Sequence, residues 1–431
     1  MKRSFYLFAT LFLAACSNNR YISRTAEKEV LNTNALKTAH VGIALYDAGT
    51  GQYIYDYQGD KYFVPASNTK IPTCYVAMKY LGDSLDGLKY SRTGEGYLLQ
   101  ATGDPTLLHS DYKNQPVYSF LESIMTADSV RWLTTNWSEN ALGSGWSWND
   151  YDEAYMAERS PLPAYGNTVR VSMPGESLSV APAFLKDSFT LSNGTRSSVK
   201  RELAENKFTV ITGREKLRAA EIPYVTRGYH TSLNILNNIL KRKVAMRAVT
   251  NEKMPVYNVI HSQPADSMLR PMMHRSDNFF AEQSLLMVSD RLLGVMSDYR
   301  VIDTLLKSAL KDLPQPPRWV DGSGLSRYNL FSPRDFVTIL DRMRNDFGME
   351  RIKGIFATGG QGTISSYYKQ DSGYFYAKTG TLSGVVALSG FMYTQKGKQL
   401  IFSVIVNNHQ ASATEVRRAV EKFLQEVRRR Y

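Results

Sequence analysis

The chain has 431 residues and a formal charge of +12 at pH 7, from 52 Lys and Arg against 40 Asp and Glu. At 43% hydrophobic and 12% aromatic residues it is too apolar for a disordered protein, and it is long enough for two or three cores. Two cysteines exclude a disulfide-stapled scaffold, so burial has to stabilise the fold.

Lys2 and Arg3 open a positive region, Phe5 to Ala15 is apolar but too short to span a bilayer, and Leu13-Ala14-Ala15-Cys16 closes it. The pattern resembles a bacterial lipoprotein signal. That resemblance implies cleavage after residue 15, lipid on Cys16 and a chain held to a membrane of the cell envelope. Ser17 after Cys16 is compatible with an outer-membrane anchor facing the periplasm. Losing Lys2 and Arg3 lowers the charge from +12 to +10. A basic exported protein suits anionic envelope polymers or lipid head groups, and export argues against nucleic acid as a partner. Residues 16–38 read as a tether, polar and flexible over 17–28. With Cys16 lipidated, Cys74 has no partner and reads as core.

Val41 to Tyr46 and Tyr53 to Tyr57 flank an Asp47-Ala48-Gly49-Thr50-Gly51 turn and predict a hairpin. It delivers the chain to Pro65-Ala66-Ser67-Asn68-Thr69-Lys70 and the apolar run Ile71 to Leu81. On a helix, residues i and i+3 share a face, so the Lys70 amine can approach the Ser67 oxygen as its base. That pairing is the core of Ser-Lys acyl-transfer chemistry. Pro72 loses a backbone bond if the helix begins much before Asn68, which predicts a tight first turn. A second S-x-x-K, Ser197 to Lys200, follows a polar turn with little to bury and reads as chance.

Residues 83–244 change character: Gly103-Asp104-Pro105, four tryptophans from Trp132 to Trp148 and short strand-like runs predict an inserted β-rich domain. A helix from His230 to Lys243 leads back. Strands followed by a helix carrying a nucleophile imply a sheet with helices packed on it, assembled from residues 39–82 and 245–431. Ser276 to Leu293 has helical periodicity, while Phe375 to Lys378, Val385 to Tyr393 and Leu400 to Asn407 read as strands. The tail from Ser412 to Arg430 is an amphipathic helix with Val416, Val420, Phe423, Leu424 and Val427 on one face. Its Arg417, Arg418, Arg428, Arg429 and Arg430 read as a solvated face, with contact to membrane or anionic glycan as the alternative.

Ser276-Asp277-Asn278 places a hydroxyl able to relay a proton two residues from an amide able to orient a peptide. Lys378-Thr379-Gly380-Thr381 is the single K-T-G of the chain. There a lysine and a threonine hydroxyl on a strand edge can bind a carboxylate, and Gly380 lets a ligand approach the backbone. No histidine lies in metal-ligand spacing and no phosphate-binding glycine fingerprint is present, so neither metal nor cofactor is expected.

S-x-x-K, S-D-N and K-T-G in this order resemble the motif set of penicillin-binding proteins and class A β-lactamases. The 209-residue gap from Ser67 to Ser276 is long for a compact β-lactamase. Gly103-Asp104-Pro105-Thr106-Leu107, Gly145-Trp146-Ser147-Trp148-Asn149-Asp150, Asp321-Gly322-Ser323-Gly324-Leu325-Ser326-Arg327 and Gly362-Thr363-Ile364 narrow the likeness. From Val41 onward the chain resembles class C low-molecular-mass penicillin-binding proteins, the D-alanyl-D-alanine carboxypeptidase/endopeptidase family. The resemblance implies an α/β fold with a β-lactamase-like antiparallel sheet flanked by helices and interrupted by the insert. It also implies hydrolysis of peptidoglycan stem peptides and acylation by β-lactams. Ser67 is then the nucleophile, Lys70 its base, Ser276 part of the proton relay, and Asn278 a holder of the substrate peptide. Lys378 and Thr379 bind the terminal carboxylate, and the N–H groups of Ser67 and Thr381 form the oxyanion hole beside Gly380. Asp150 is the candidate for the stem-peptide amine, with a turn cap as the alternative. Ser365-Ser366-Tyr367-Tyr368 departs from the family pattern by lacking an arginine. A serine β-lactamase or esterase, or a silent wall-binding lipoprotein, are the competing readings.

Overall fold

The expected hairpin forms as His40–Asp47 and Gln52–Tyr57, joined by a turn in which Asp47 Oδ1 accepts from the Gly49 and Thr50 N–H groups at 2.9 and 3.2 Å. Its first strand is almost wholly buried because it runs inside a six-stranded antiparallel sheet. The order across that sheet is Ala357–Thr358, Phe375–Leu382, Val385–Tyr393, Gln399–Asn407, His40–Asp47, Gln52–Tyr57. The structure, a computed structural model, describes residues 20–94, 96–127, 129–175, 177–241, 246–254 and 256–431. The expected leader 1–15, the lipidation site Cys16 and the junction at 242–245 lie outside the described residues.

The contacts divide the chain into two units. The first holds the described residues up to Tyr75, then Arg270–Ser276 and Leu305–Tyr431. Its sheet is covered on one face by the helix Pro333–Ile355, whose start is fixed by a capping box between Ser332 and Asp335. The other face is covered by the C-terminal helix Ala413–Arg430, N-capped by Ser412 with Glu415. Val416, Val420, Phe423, Leu424 and Val427 are buried there as their spacing requires.

One expectation is overturned in this unit. Residues 20–31, inside the stretch read as a flexible tether, form a helix that ends in the π-type turn Glu27–Leu31. Ile22, Ala26 and Val30 lie at i, i+4 and i+8 and are 1%, 0% and 0% exposed within the same core as the C-terminal helix. Tyr21 donates to Glu426 on that helix at 2.6 Å. The polar residues between these three hid a narrow apolar stripe that has meaning only once the C-terminal helix is its partner.

The second unit comprises Val76–Leu269 and Asp277–Thr304. It contains the whole β-rich region 83–244 and extends beyond it on both sides. Strand Asn258–Pro264 returns to pair antiparallel with Ser84–Thr93, completing a five-stranded sheet with Gly96–Ala101, Ser129–Leu133 and Arg247–Val249. Helix Asn278–Leu293 is buried from Phe279 to Asp290, and its Gln283 donates to the Gly103 and Ser160 carbonyls at 2.7 and 2.9 Å. Two three-stranded sheets, 168–223 and 189–212, enclose a second core around Tyr224 and Phe208. The helix expected to reach Lys243 ends at Leu240, with Lys241 in a left-handed conformation.

Candidate active site

The segment leading to Ser67 is tied to the sheet before it turns. Asn407 accepts from the Val64 N–H at 2.8 Å and returns a bond to the Val64 carbonyl at 3.1 Å. The tight turn expected from Pro72 is a 3₁₀ turn, Ala66–Thr69, followed by the α-helix Lys70–Tyr80. Ala66 stands at φ 48°, a conformation its β-carbon disfavours. Full burial and a 2.9 Å bond from Thr69 Oγ1 to the Ala66 carbonyl hold it there. Asn68, also buried, anchors the turn through Nδ2 to Ser389 Oγ at 2.7 Å.

This turn presents Ser67, half-buried, to the Lys70 side chain. Lys70 is 0% exposed, and its Nζ lies 3.0 Å from Ser67 Oγ and 2.7 Å from the Ser323 carbonyl. The carbonyl aims the amine; when the amine is neutral, its lone pair can take the serine proton along the Ser67 line. The Ser323 carbonyl is itself placed by Asp321, a buried carboxylate that accepts from Gly324 N–H at 2.8 Å, Ser326 N–H at 2.7 Å and Asn329 Nδ2 at 2.7 Å. Gly324, at φ 81°, passes so close that a β-carbon would stand 1.9 Å from the Ala66 oxygen. The stretch Asp321 to Arg327, which the sequence offers only as part of the family likeness, thus supplies the carbonyl that faces the Lys70 amine.

Ser276 and Lys378 form the second half of the site. Lys378 is 0% exposed and donates to Ser276 Oγ at 2.8 Å and to the Thr379 carbonyl at 2.7 Å. Burial holds its amine well below the ordinary lysine range, and the Lys70 cation pushes it the same way. Strand Phe375–Leu382 pairs with Val385–Tyr393 along its whole length, but its other side meets Ala357–Thr358 only at Tyr376 and Ala377. From Lys378 onward that edge carries no paired strand among the described residues, which leaves backbone groups to bind an extended peptide. Gly380 brings this edge against the nucleophile turn: a β-carbon would lie 2.5 Å from the Pro65 oxygen and 3.1 Å from the Ser67 nitrogen. Thr379 Oγ1 donates to Thr363 Oγ1 at 2.8 Å, and Thr381 Oγ1 accepts from Arg417 at 2.7 Å.

Thus Ser67, Lys70, Ser276, Lys378, Thr379, Gly380 and Thr381 all belong to the first unit. Asn278 and Asp150 belong to the second, where they share a partner. Asn278 Nδ2 donates to the Tyr155 carbonyl at 3.0 Å, and a hydrogen bond with Asp150 helps burial push the Tyr155 hydroxyl up to about 12. Trp148, beside Asp150, is 74% exposed. The second S-x-x-K precedes and enters strand Ser198–Arg201, where residues three apart face opposite sides. Sequence reasoning missed Tyr155, the Ser323 carbonyl and Arg417, because each reaches its partner across a long chain separation; Thr363 lay in a motif already noticed but without a role.

A family model described as the D-Ala-D-Ala carboxypeptidase 3 (S13) family matches residues 24–427. Among curated proteins, the D-alanyl-D-alanine carboxypeptidase DacB of Haemophilus influenzae is 24% identical over 430 residues, covering 88% of this chain and 87% of that protein. A D-alanyl-D-alanine carboxypeptidase of an Actinomadura species is 25% identical over 438 residues, covering 89% and 80%. Among solved structures, penicillin binding protein 4 from Haemophilus influenzae superposes with a TM-score of 0.75 at 21% identity, covering 94% of this chain and 98% of that one. The last likeness bears out the expected α/β architecture.

Proposed function

We propose, for a chain that belongs to the D-Ala-D-Ala carboxypeptidase 3 (S13) family and is thereby a serine-type carboxypeptidase, that Ser67 is the acylated nucleophile and Lys70 its base. The observation that carries this assignment is the buried Lys70 amine 3.0 Å from Ser67 Oγ, with its direction set by the Ser323 carbonyl. Ser67 Oγ attacks the carbonyl carbon of the penultimate D-alanine and yields its proton to Lys70. Charge develops on the carbonyl oxygen, where the N–H groups of Ser67 and Thr381 are the donors. The Ser276 hydroxyl, bonded to Lys378, gives its proton to the leaving nitrogen and takes in its place the one held by Lys70; the C–N bond breaks, D-alanine departs and Lys70 is neutral again. Water then attacks the ester carbon, gives its proton to the same base and releases the shortened stem peptide as Ser67 regains its own.

The same attack on a β-lactam carbonyl opens the ring and leaves an acyl-serine. Cleavage of D-alanine cross-links uses the same steps with a larger leaving group. Asn278 holds the substrate peptide and Asp150 takes the amine of its diamino acid; their common link to Tyr155 supports this pairing. We also assign residues 1–15 to a leader and Cys16 to lipid attachment, placing the enzyme on the outer membrane, facing the periplasm. The support is the leader pattern itself, and Cys16→Ser should abolish incorporation of labelled fatty acid.

Intact-protein mass after incubation with benzylpenicillin tests the nucleophile. A single persistent adduct on the wild type, absent from Ser67→Ala, is expected, together with D-alanine release from peptidoglycan. A folded wild type that gains no adduct and releases no D-alanine would refute the assignment, and penicillin turnover without an adduct would replace it with a β-lactamase.

A further inference from the structure

The substrate of the proposed reaction ends in a carboxylate, and an anion entering a site needs a cation able to reach it. Lys378 is a poor choice. It is fully buried, its Nζ is engaged by Ser276 Oγ and the Thr379 carbonyl, and burial beside Lys70 disfavours its charge. The segment after Gly362-Thr363-Ile364 supplies no arginine. The C-terminal helix brings a cation to this strand. Arg417 is half-buried and donates through Nη2 to Thr381 Oγ1 at 2.7 Å. Thr381 and Thr379 are two residues apart on one strand and so face the same side, at the edge left unpaired beside Ser67.

Three other arginines of this helix are held by carboxylates, Arg418 by Glu421, Arg428 by Asp371 at 3.2 Å and Arg429 by Glu426, and the Arg430 guanidinium lies 5.6 Å from the centre of the Tyr21 ring. Arg417 has no carboxylate partner among the described residues; its guanidinium lies 5.9 Å from the centre of the Tyr367 ring, a face that limits its swing. One hydroxyl bond uses one of five N–H donors, which leaves the fork available for a bidentate carboxylate.

We propose that Arg417 is the specificity-determining cation that, with Thr379 and Thr381, binds the terminal carboxylate of the acyl-donor peptide. This rests on the hydrolase reading above. The test is hydrolysis, by the full chain in detergent, of an N-acylated peptide ending in D-Ala-D-Ala and of its C-terminal amide. Arg417→Ala should lower kcat/KM for the free acid by about 10- to 100-fold and leave the amide within about twofold, erasing the preference for the acid. Arg417→Lys should restore part of that preference, since the charge returns without the fork. Equal losses on both peptides would mean that Arg417 only props Thr381, and an unchanged acid-to-amide ratio would mean that another group binds the carboxylate; either overturns the inference alone. A wild type that cleaves neither peptide overturns the hydrolase reading and the inference with it.

Discussion

Gly380→Ala is the sharpest probe of the contact between the strand edge and the nucleophile turn. Gly380 does not hold a left-handed conformation, so alanine meets no backbone penalty there. The obstacle is steric: the new methyl would lie 2.5 Å from the Pro65 oxygen and 3.1 Å from the Ser67 nitrogen. A carbon–oxygen contact relaxes at about 3.3 Å, so strand and turn must part by roughly 0.8 Å. The next residue along the strand is Thr381, whose N–H is one of the two proposed oxyanion donors. A displacement of this order, applied to a donor that must sit within about 0.4 Å of its best distance, costs roughly 100-fold in acylation, or about 2.7 kcal/mol of transition-state stabilisation. The measurement is the second-order rate of benzylpenicillin acylation, followed by intact mass, with the melting temperature recorded in parallel. Acylation within threefold of the wild type, in a variant of unchanged melting temperature, would refute the reasoning: either the turn yields freely or Thr381 N–H is not at the oxyanion.

Three further outcomes are expected. Glu139 shares a buried cluster with Arg159, Glu282 and Asp298, and burial and the Asp298 carboxylate outweigh Arg159 to push its carboxyl up to about 7. Because the folded value lies above the unfolded one, the protonated form favours the fold, and stability falls as pH rises from the ordinary carboxyl range to about 7 and levels off above it; Glu139→Gln should flatten the melting temperature between about pH 5 and 7, and an unchanged slope would discard this source. Asp321→Ala strips three donors of their buried acceptor, so denaturant unfolding should show a loss of about 2 to 5 kcal/mol and acylation should slow as the Ser323 carbonyl drifts from Lys70. Ile22→Ala should cost about 2 to 4 kcal/mol by the same measurement, whereas a loss below about 0.5 kcal/mol would return residues 20–31 to the status of a tether.

Arg417 changes how the departure from the family pattern is understood. The missing arginine after Ile364 stands in the sequence as a departure from the family pattern, while the arginines of the tail read as a solvated face. The fold connects the two observations: the C-terminal helix packs on the strand Val385–Tyr393 and delivers a guanidinium to Thr381 on the neighbouring strand. Arg418 and Arg429 on the same helix are consumed by the local carboxylates Glu421 and Glu426, which is the fate expected for most charges on an amphipathic face.

What the sequence determined by itself was whatever is written in local spacing. The three-residue step from Ser67 to Lys70, the hairpin before it, the strands of residues 375–407 and the apolar stripe of the last helix each follow from neighbours along the chain, and each stands in the structure with ends moved by at most one residue, except the strand from Phe375, which runs on past Lys378 to Leu382. Pro72 likewise announced the 3₁₀ turn, because the missing N–H acts within one turn. Only the tertiary structure decided the rest. Ile22, Ala26 and Val30 form a core stripe solely because the C-terminal helix, some 390 residues away, supplies the opposing face. The second unit reaches past 83–244 because a strand near residue 260 pairs with one near residue 88. The Lys70 amine is aimed by a carbonyl 253 positions later, and Lys378 is removed from solvent by packing that no motif encodes. Spacing specifies which groups can share a face; burial and long-range hydrogen bonds specify which of them carry charge and which way they point.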